Sequence, residues 1–465
     1  MRPRLVLALA CAGSFMVILD ATIVSVALPQ IRATLGFSAI SLPWVVNAYT
    51  LVFAGFLLLG GRCADVFGPR RLMVVGTGLF TVARVAAGLA TAPGALLAAR
   101  AVQGLGGALL IPVTLSLLTT TFTDRSARTR ALGTWSAVGA VAAAAGPVIG
   151  GVLTQWFGWR WVFLISLPLG ALVLAVSYVK LPRLDPGVPR TRLDVWGATL
   201  ATGGLVATVY AVMSFGSSAW IGGALLVTGV ALLGLFTAHQ ARWSTNPLLP
   251  LSVFRVRTVS GGNVVMFLLG LGFFASPILI SLYLQDVYGF SPLRAGLGFL
   301  PVGAAMFAGA QSAGRLTLFF GARRAAVIFC VIGTVGLAAM AVLLGAGGSY
   351  VVAVAIPGVV LGFGTAAAFT PITVIATSGV LPSQNGLAAG LLNTVRQASG
   401  AVGLAALSTV VTVLRPAGLT YGYSVAFVSS AGCVAVAGLV AAVVLPQTSY
   451  PTKALPIDES PEKVR

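Results

Sequence analysis

Runs of about twenty apolar residues fill the chain from residue 5 to residue 445. A run of that length crosses a bilayer as a helix, so the chain is confined to folds built from membrane-crossing helices. The 465 residues are 58% hydrophobic and only 8% charged, a balance foreign to a soluble domain of this size. Fourteen runs are predicted as spans, near 5–28, 44–60, 72–90, 94–118, 131–153, 161–179, 196–212, 220–238, 259–282, 296–312, 325–344, 351–374, 387–411 and 425–445. The fold class is therefore all-α and polytopic. The 57 glycines fit helices packed closely inside a membrane.

A basic loop occurs twice. Gly61-Arg62-Cys63-Ala64-Asp65-Val66-Phe67-Gly68-Pro69-Arg70-Arg71 returns as Gly314-Arg315-Leu316-Thr317-Leu318-Phe319-Phe320-Gly321-Ala322-Arg323-Arg324. Each copy joins the second and third spans of a group of six, so the chain reads as two related halves. Two six-helix bundles that rock against each other form a transporter. The expected units are a first bundle at 1–180, a linker with two inserted central helices at 181–257, a second bundle at 258–446, and a disordered polar tail at 447–465.

The formal net charge of +19 carries topology rather than affinity for nucleic acid. Arginines crowd alternate loops, among them Arg62, Arg70, Arg71, Arg125, Arg128, Arg130, Arg242, Arg255, Arg257, Arg315, Arg323 and Arg324. The loops of the other side hold Arg32, Arg160, Arg294 and Arg415. By the positive-inside bias both termini face the cytoplasm, with the bilayer as partner. The first apolar run continues past Asp20 without a cleavage site, so it reads as a retained span and not a leader. Cys11, Cys63, Cys330 and Cys433 lack metal-like spacing, and His239 is the sole histidine. No metal or cofactor is expected, and a membrane-embedded enzyme lacks its clustered acids and histidines. A phosphate-binding G-x4-G-K-[ST] loop is missing as well, which disfavours direct use of ATP.

Charges inside spans are costly and mark functional candidates. Asp20, Arg84, Arg100 and Arg396 are those charges, and Asp20 is the sole carboxylate among them. Asp20 lies eight residues from the outer end of its span, roughly 12 Å deep at about 1.5 Å per residue. Two roles compete for it: a proton carrier whose pKa burial raises and arginine lowers, or a permanent ion pair that locks helices. Pro147, with Gly146, Gly150 and Gly151, kinks the fifth span and permits close contact, either as a gate or as a static bend. Asp65, near Arg70, Arg71, Arg125 or Arg128, is a candidate cytoplasmic latch or else a solvated loop acid. Asn47, Gln103, Asn263, Gln311, Asn393 and Arg396 are candidates to line a substrate cavity, or simply to bond neighbouring helices.

Together these segments resemble the major facilitator superfamily, and within it the fourteen-span drug:proton antiporters of the QacA/EmrB-like group. Gly61 to Arg71 resembles motif A, Arg100 to Ala108 motif B, and Gly146-Pro147-x-x-Gly150-Gly151 motif C. Leu19-Asp20-Ala21-Thr22 and its continuation to Pro29 resembles the first-span signature of that group. Trp159 to Phe163 resembles its sixth-span entry, and Asn393 to Gln397 its thirteenth-span pattern. The resemblance implies a major facilitator fold and export of small, lipophilic molecules against inward proton flow. It implies coupling roles for Asp20 and Arg100, and Arg84 joins them by depth although it belongs to no family pattern. It implies gating roles for Gly61, Asp65, Gly68, Arg70 and Arg71, and for Gly146, Pro147, Gly150 and Gly151. Val66 and Pro69 stand where the family often has basic residues, and the tenth span lacks the acid of dication exporters. A narrow exporter of an endogenous metabolite, and a uniporter or importer of the same fold, are the alternatives. The arginine-rich, lysine-poor composition points to a bacterial inner membrane, and a monomer is the family expectation.

Overall fold

The computed structural model describes residues 3–181, 193–216, 218–380 and 384–446. Among them there is no strand, and thirteen segments are long and apolar enough to cross a membrane. In chain order these are α1 (Pro3–Val26), α2 (Trp44–Ala64), α3 (Pro69–Gly88), α4 (Pro93–Thr121), α5 (Ser126–Trp156), α6 (Arg160–Lys180), α7 (Val195–Ser214), α8 (Ala219–Trp243), α9 (Arg257–Asp286), α10 (Pro292–Phe320), α11 (Ala322–Gly345), α12 (Val351–Ala376) and, last, α14 (Leu419–Val444). Between α12 and α14 lies one more long helix, α13 (Asn385–Val413), whose apolarity is cut by Asn393, Thr394, Arg396 and Gln397. The expected tail at 447–465 lies outside the described residues, as does most of the linker between α6 and α7.

Several helices run past the apolar stretch that predicts them. The fifth is expected to start near residue 131, yet its helical backbone begins at Arg125, one residue ahead of the span, because Asp124 caps it by accepting from Ala127 N at 2.8 Å. The tenth is expected at 296–312 and spans Pro292–Phe320. Its start is fixed by Ser291, whose side chain accepts from Arg294 N, with Pro292 in the first turn.

The helices pack in a repeating pattern. In the first half α2 packs on α4, α3 on α4, α1 on α5, α1 on α4 and α3 on α6. In the second half α10 packs on α12, α11 on α12, α9 on α13, α9 on α12 and α11 on α14. Glycine lets these pairs approach to backbone distance. A Cβ on Gly60 would stand 2.1 Å from Ala108 O, and one on Gly309 would stand 2.5 Å from Phe363 O. α7 and α8 pack on each other as a hairpin, and α7 lies against both α2 and α13.

The two basic loops share one geometry. Gly68 (φ 79°, ψ 151°) and Gly321 (φ 77°, ψ 148°) adopt the same backbone conformation, with positive φ, before α3 and α11. Such a φ is readily held only by glycine. Two residues on, Arg70 donates to Tyr178 O at the end of α6, and Arg323 donates to Ala442 O at the end of α14. The sequence repeat is thus a structural repeat down to the carbonyl each arginine reaches.

Candidate functional site

Asp20 sits in α1 with no solvent exposure, between two guanidinium groups. Arg84 Nη1 donates to its Oδ1 at 2.6 Å, and Arg100 Nη1 to its Oδ2 at 2.5 Å. The two arginines spend their other donors on main-chain carbonyls and one amide. Arg84 reaches Phe163 O at 2.7 Å and Val162 O at 2.7 Å, tying α3 to α6. Arg100 reaches Val45 O at 2.9 Å and Gln103 Oε1 at 2.9 Å, and lies 4.5 Å from the centroid of the Tyr49 ring. One acid and two bases leave the cluster with a net positive charge. Four helices of the first half and the start of α2 meet on it.

Beside this cluster, between the two halves, lies a cavity of about 530 Å³. Its walls come from α1, α2, α4 and α5 on one side and α9, α10, α12 and α13 on the other. Tyr49 belongs both to the cavity wall and to the Arg100 contact, while Asp20 itself is not part of the wall. Asn47, Asn393, Arg396 and Gln397 supply amide and guanidinium groups to a lining that is mostly apolar, with a few hydroxyls such as Thr22, Ser25 and Thr50. Phe273, Phe274 and Phe369 form one aromatic group there, with ring centroids 5.1, 5.4 and 5.6 Å apart.

The cavity is sealed at the face that bears the α1–α2 loop. Ser281 Oγ donates to Ser25 O at 3.3 Å, Gln285 Nε2 to Val26 O at 3.1 Å, and Arg32 Nη2 to Asp286 Oδ1 at 3.3 Å. The α5 glycines complete the seal. A Cβ on Gly151 would meet Pro292 O at 2.6 Å, and one on Gly296 would meet Pro147 O at 2.3 Å. Gly146 and Gly150 instead press on α1, where a Cβ would stand 2.0 Å from Thr22 Oγ1 and 2.4 Å from Ile23 O. At the other end the walls include Trp135, ten residues into its helix, and Asn393, eight residues into its own. The Arg32–Asp286 pair is partly exposed, with side chains 33% and 17% accessible, so it contributes little alone. Asp286→Asn is expected to weaken closure by no more than about 1 kcal/mol and to become silent at high salt, read as thiol labelling of a nearby introduced cysteine.

The structure brings together only part of the expected set. Asp20, Arg84 and Arg100 form one cluster, with Gln103 behind it on Arg100 rather than in the cavity wall. Asn47, Asn393 and Arg396 do line the cavity. Asn263 is buried in α9, where its Nδ2 donates to Val259 O at 2.8 Å, and it is not a wall residue. Gln311 is exposed and also lies off the wall. In the first basic loop Arg62 donates to Asn246 O at 3.2 Å and Pro247 O at 2.7 Å, fastening α2 to the segment after α8. Gly61 is half-buried beside it, and Arg71 is exposed. The side chains of Asp65 and Arg125 lie outside the described residues, while Arg128 Nε donates to Phe122 O at 2.9 Å.

A polar hub at the start of α7 was not legible in the sequence. Asp194 caps α7 by accepting from Gly197 N at 2.8 Å. It also bonds Gln240 Nε2 at 2.6 Å, Ser244 Oγ at 3.1 Å and the sole histidine, His239, at 2.9 Å. The available signal was a rare acid just before one apolar run and a His-Gln pair just after the next. Burial pushes the Asp194 carboxyl up, but the bonds from Gly197, Gln240, His239 and Ser244 outweigh it and hold the group below the ordinary carboxylate range. A depressed folded pKa stabilises above the unfolded value and loses that stability as pH falls through the folded one. The stability difference between wild type and Asp194→Asn is therefore expected to stay flat through neutral pH. It should shrink only below about pH 4, as thermal unfolding across pH 3–7 would show.

Residues 10–404 match the family model of the Major Facilitator Superfamily. The chain belongs to that superfamily. It is 40% identical over 434 residues to the cephamycin export protein CmcT of Amycolatopsis lactamdurans, covering 91% of this chain and 89% of that one. It is 35% identical to the puromycin resistance protein pur8 of Streptomyces alboniger, covering 93% and 90%. A tetracenomycin C resistance and export protein of Streptomyces glaucescens is 33% identical, with coverage of 88% and 76%. In fold the chain is similar to a D-xylose–proton symporter, with a TM-score of 0.69 at 14% identity and coverage of 95% and 97%. A peptide transporter of the POT family in complex with sulfate gives 0.68 at 15% identity, covering 94% and 93%. The protein is a multi-span membrane transporter with the major facilitator fold, and not an enzyme.

Proposed function

We propose that this transporter is a proton-coupled antiporter that exports small, lipophilic drugs or antibiotics from the cytoplasm. It would do so by alternating access of two six-helix bundles, with α7–α8 inserted between them and fourteen crossings in all. The observation that carries this reading is the placement of a buried Asp20–Arg84–Arg100 cluster directly behind the wall of an apolar cavity between the halves. Both Asp20 oxygens are taken by guanidinium N–H donors, so a proton can reach the carboxylate only when those contacts break. With both termini in the cytoplasm of a bacterial inner membrane, the sealed face is external and the shape is inward-facing. Rocking that loosens α1 from α3 and α4 would free Asp20 to take a proton from outside, while the cavity releases its substrate there. One proton moving down about 100 mV gains about 2.3 kcal/mol, enough for a modest gradient.

Asp65, Gly61, Gly68, Arg70 and Arg71 would govern the cytoplasmic gate, and Gly146, Pro147, Gly150 and Gly151 the external one. A monomer suffices, since both halves of the cavity come from one chain. Relatives named for antibiotic export and resistance support the exporter direction over import. Cells expressing the chain should hold less of at least one of ethidium, puromycin and dansylglycine than control cells, and a protonophore should abolish the difference. Efflux that persists without a proton gradient would refute the coupling, and uphill accumulation would refute the direction.

A further inference from the structure

Of the three arginines Arg84, Arg100 and Arg396, the first two share Asp20. The third does not. Arg396 Nη2 donates to the neutral Asn393 Oδ1 at 2.5 Å, its Nε has no hydrogen-bond partner among the described residues, and its guanidinium stands 5.9 Å from the Phe369 ring centroid. It lines the cavity, and no Asp or Glu among the described residues does. Arg396 is half-buried with its Nε shut off from solvent, and a partly buried cation without an acid is relieved by an anion brought from outside. Arginine is suited to that task, since its planar fork of N–H groups matches a carboxylate.

Two further observations point to the same ligand. Asn47 has no exposure, lines the cavity from the opposite half, and neither its Oδ1 nor its Nδ2 has a partner among the described residues. Arg396 stands over the Phe369 ring, which packs with Phe273 and Phe274 in one aromatic group. The net positive Asp20–Arg84–Arg100 cluster stands behind Tyr49 and adds to the potential that an anion meets.

We infer that Arg396 binds the carboxylate of an amphipathic, aromatic organic acid, whose apolar body lies on Phe273, Phe274 and Phe369 while Asn47 engages a polar group on its far side. This rests on the reading of the cavity as the substrate site. It assigns that site a substrate charge opposite to that of lipophilic cations. A cavity of about 530 Å³ is of the size that takes a drug-sized molecule.

The test compares dansylglycine, its uncharged amide dansylglycinamide, and ethidium, binding to the purified full chain in detergent by fluorescence. Dansylglycine should bind about tenfold more tightly than its amide or more, and ethidium should bind weakest. Arg396→Gln should bring the two dansyl compounds to equal affinity, and Arg396→Lys should retain part of the preference. The wild-type comparison needs no variant, so a misfolded Arg396→Gln protein does not remove the test. Equal affinities in the wild type, no binding of dansylglycine, or a preference for ethidium would overturn the inference. Efflux from energised cells separates the two claims. Gradient-driven ethidium efflux with no dansylglycine preference sinks the anion site and leaves the exporter. Selective dansylglycine binding without gradient-driven efflux of any of the three sinks the exporter and leaves the site.

Discussion

Asp20→Asn is expected to abolish gradient-driven export and to cost about 3–5 kcal/mol of stability. The substitution keeps the size of the side chain and removes its charge. Arg84 and Arg100, both almost wholly buried, then face each other across a neutral amide. The large term is the uncompensated charge left behind, not the intrinsic worth of the pair. Adding Arg84→Gln to Asp20→Asn removes one of the two stranded charges. The double variant should recover part of the lost thermal stability and none of the transport. Were the single variant to unfold at the wild-type temperature and still export, Asp20 would be neither the keystone of the cluster nor the coupling group.

Alanine at Gly150 and at Gly151 should produce opposite kinds of loss. At Gly150 the new methyl meets Ile23 O at 2.4 Å, within the first half, and a backbone carbonyl cannot rotate away. Overpacking of this sort costs about 1–3 kcal/mol, so Gly150→Ala should lower stability in every conformation. At Gly151 the methyl meets Pro292 O at 2.6 Å, across the seam between the halves, so the clash exists only while that face is closed. Gly151→Ala should therefore shift the population towards opening of that face, on the order of tenfold for about 1.4 kcal/mol. In a cysteine-free background, Gln285→Cys would report this as faster labelling by a membrane-impermeant maleimide. Gly150→Ala should leave that labelling rate near the parent value. A faster rate in both or in neither would contradict the assignment of these glycines to different contacts.

Much of the fold was legible because a bilayer permits few solutions. Apolar runs of the right length predicted the helices, and the basic-loop repeat pointed to related segments, which share one backbone geometry at Gly68 and Gly321. Helix ends were less legible, because caps such as Asp124 and Ser291 extend helices beyond the apolar band. The intramembrane acid was also readable from scarcity alone: Asp20 had no rival, and the two arginines at similar depth proved to be its partners. Side-chain direction around a helix was not readable. Asn47 and Arg396 turn into the cavity, whereas Asn263 turns to its own helix at Val259 O and Gln311 faces outward. In a span that is apolar on every side, no amphipathic stripe tells these apart. The closure pair Arg32–Asp286 joins residues far apart in the chain, and only the docking of the halves brings them together.

The central claim is that proton movement and substrate export pass through the Asp20 cluster of one molecule. Proteoliposomes holding the purified chain and a pH-sensitive dye in the lumen test it directly, with ethidium, puromycin and dansylglycine added in turn. The expected result is that at least one compound, moving down its own gradient, drives an opposite proton flux that wild type shows and Asp20→Asn lacks. Compound movement with no accompanying proton flux, or an equal flux in Asp20→Asn, would contradict it.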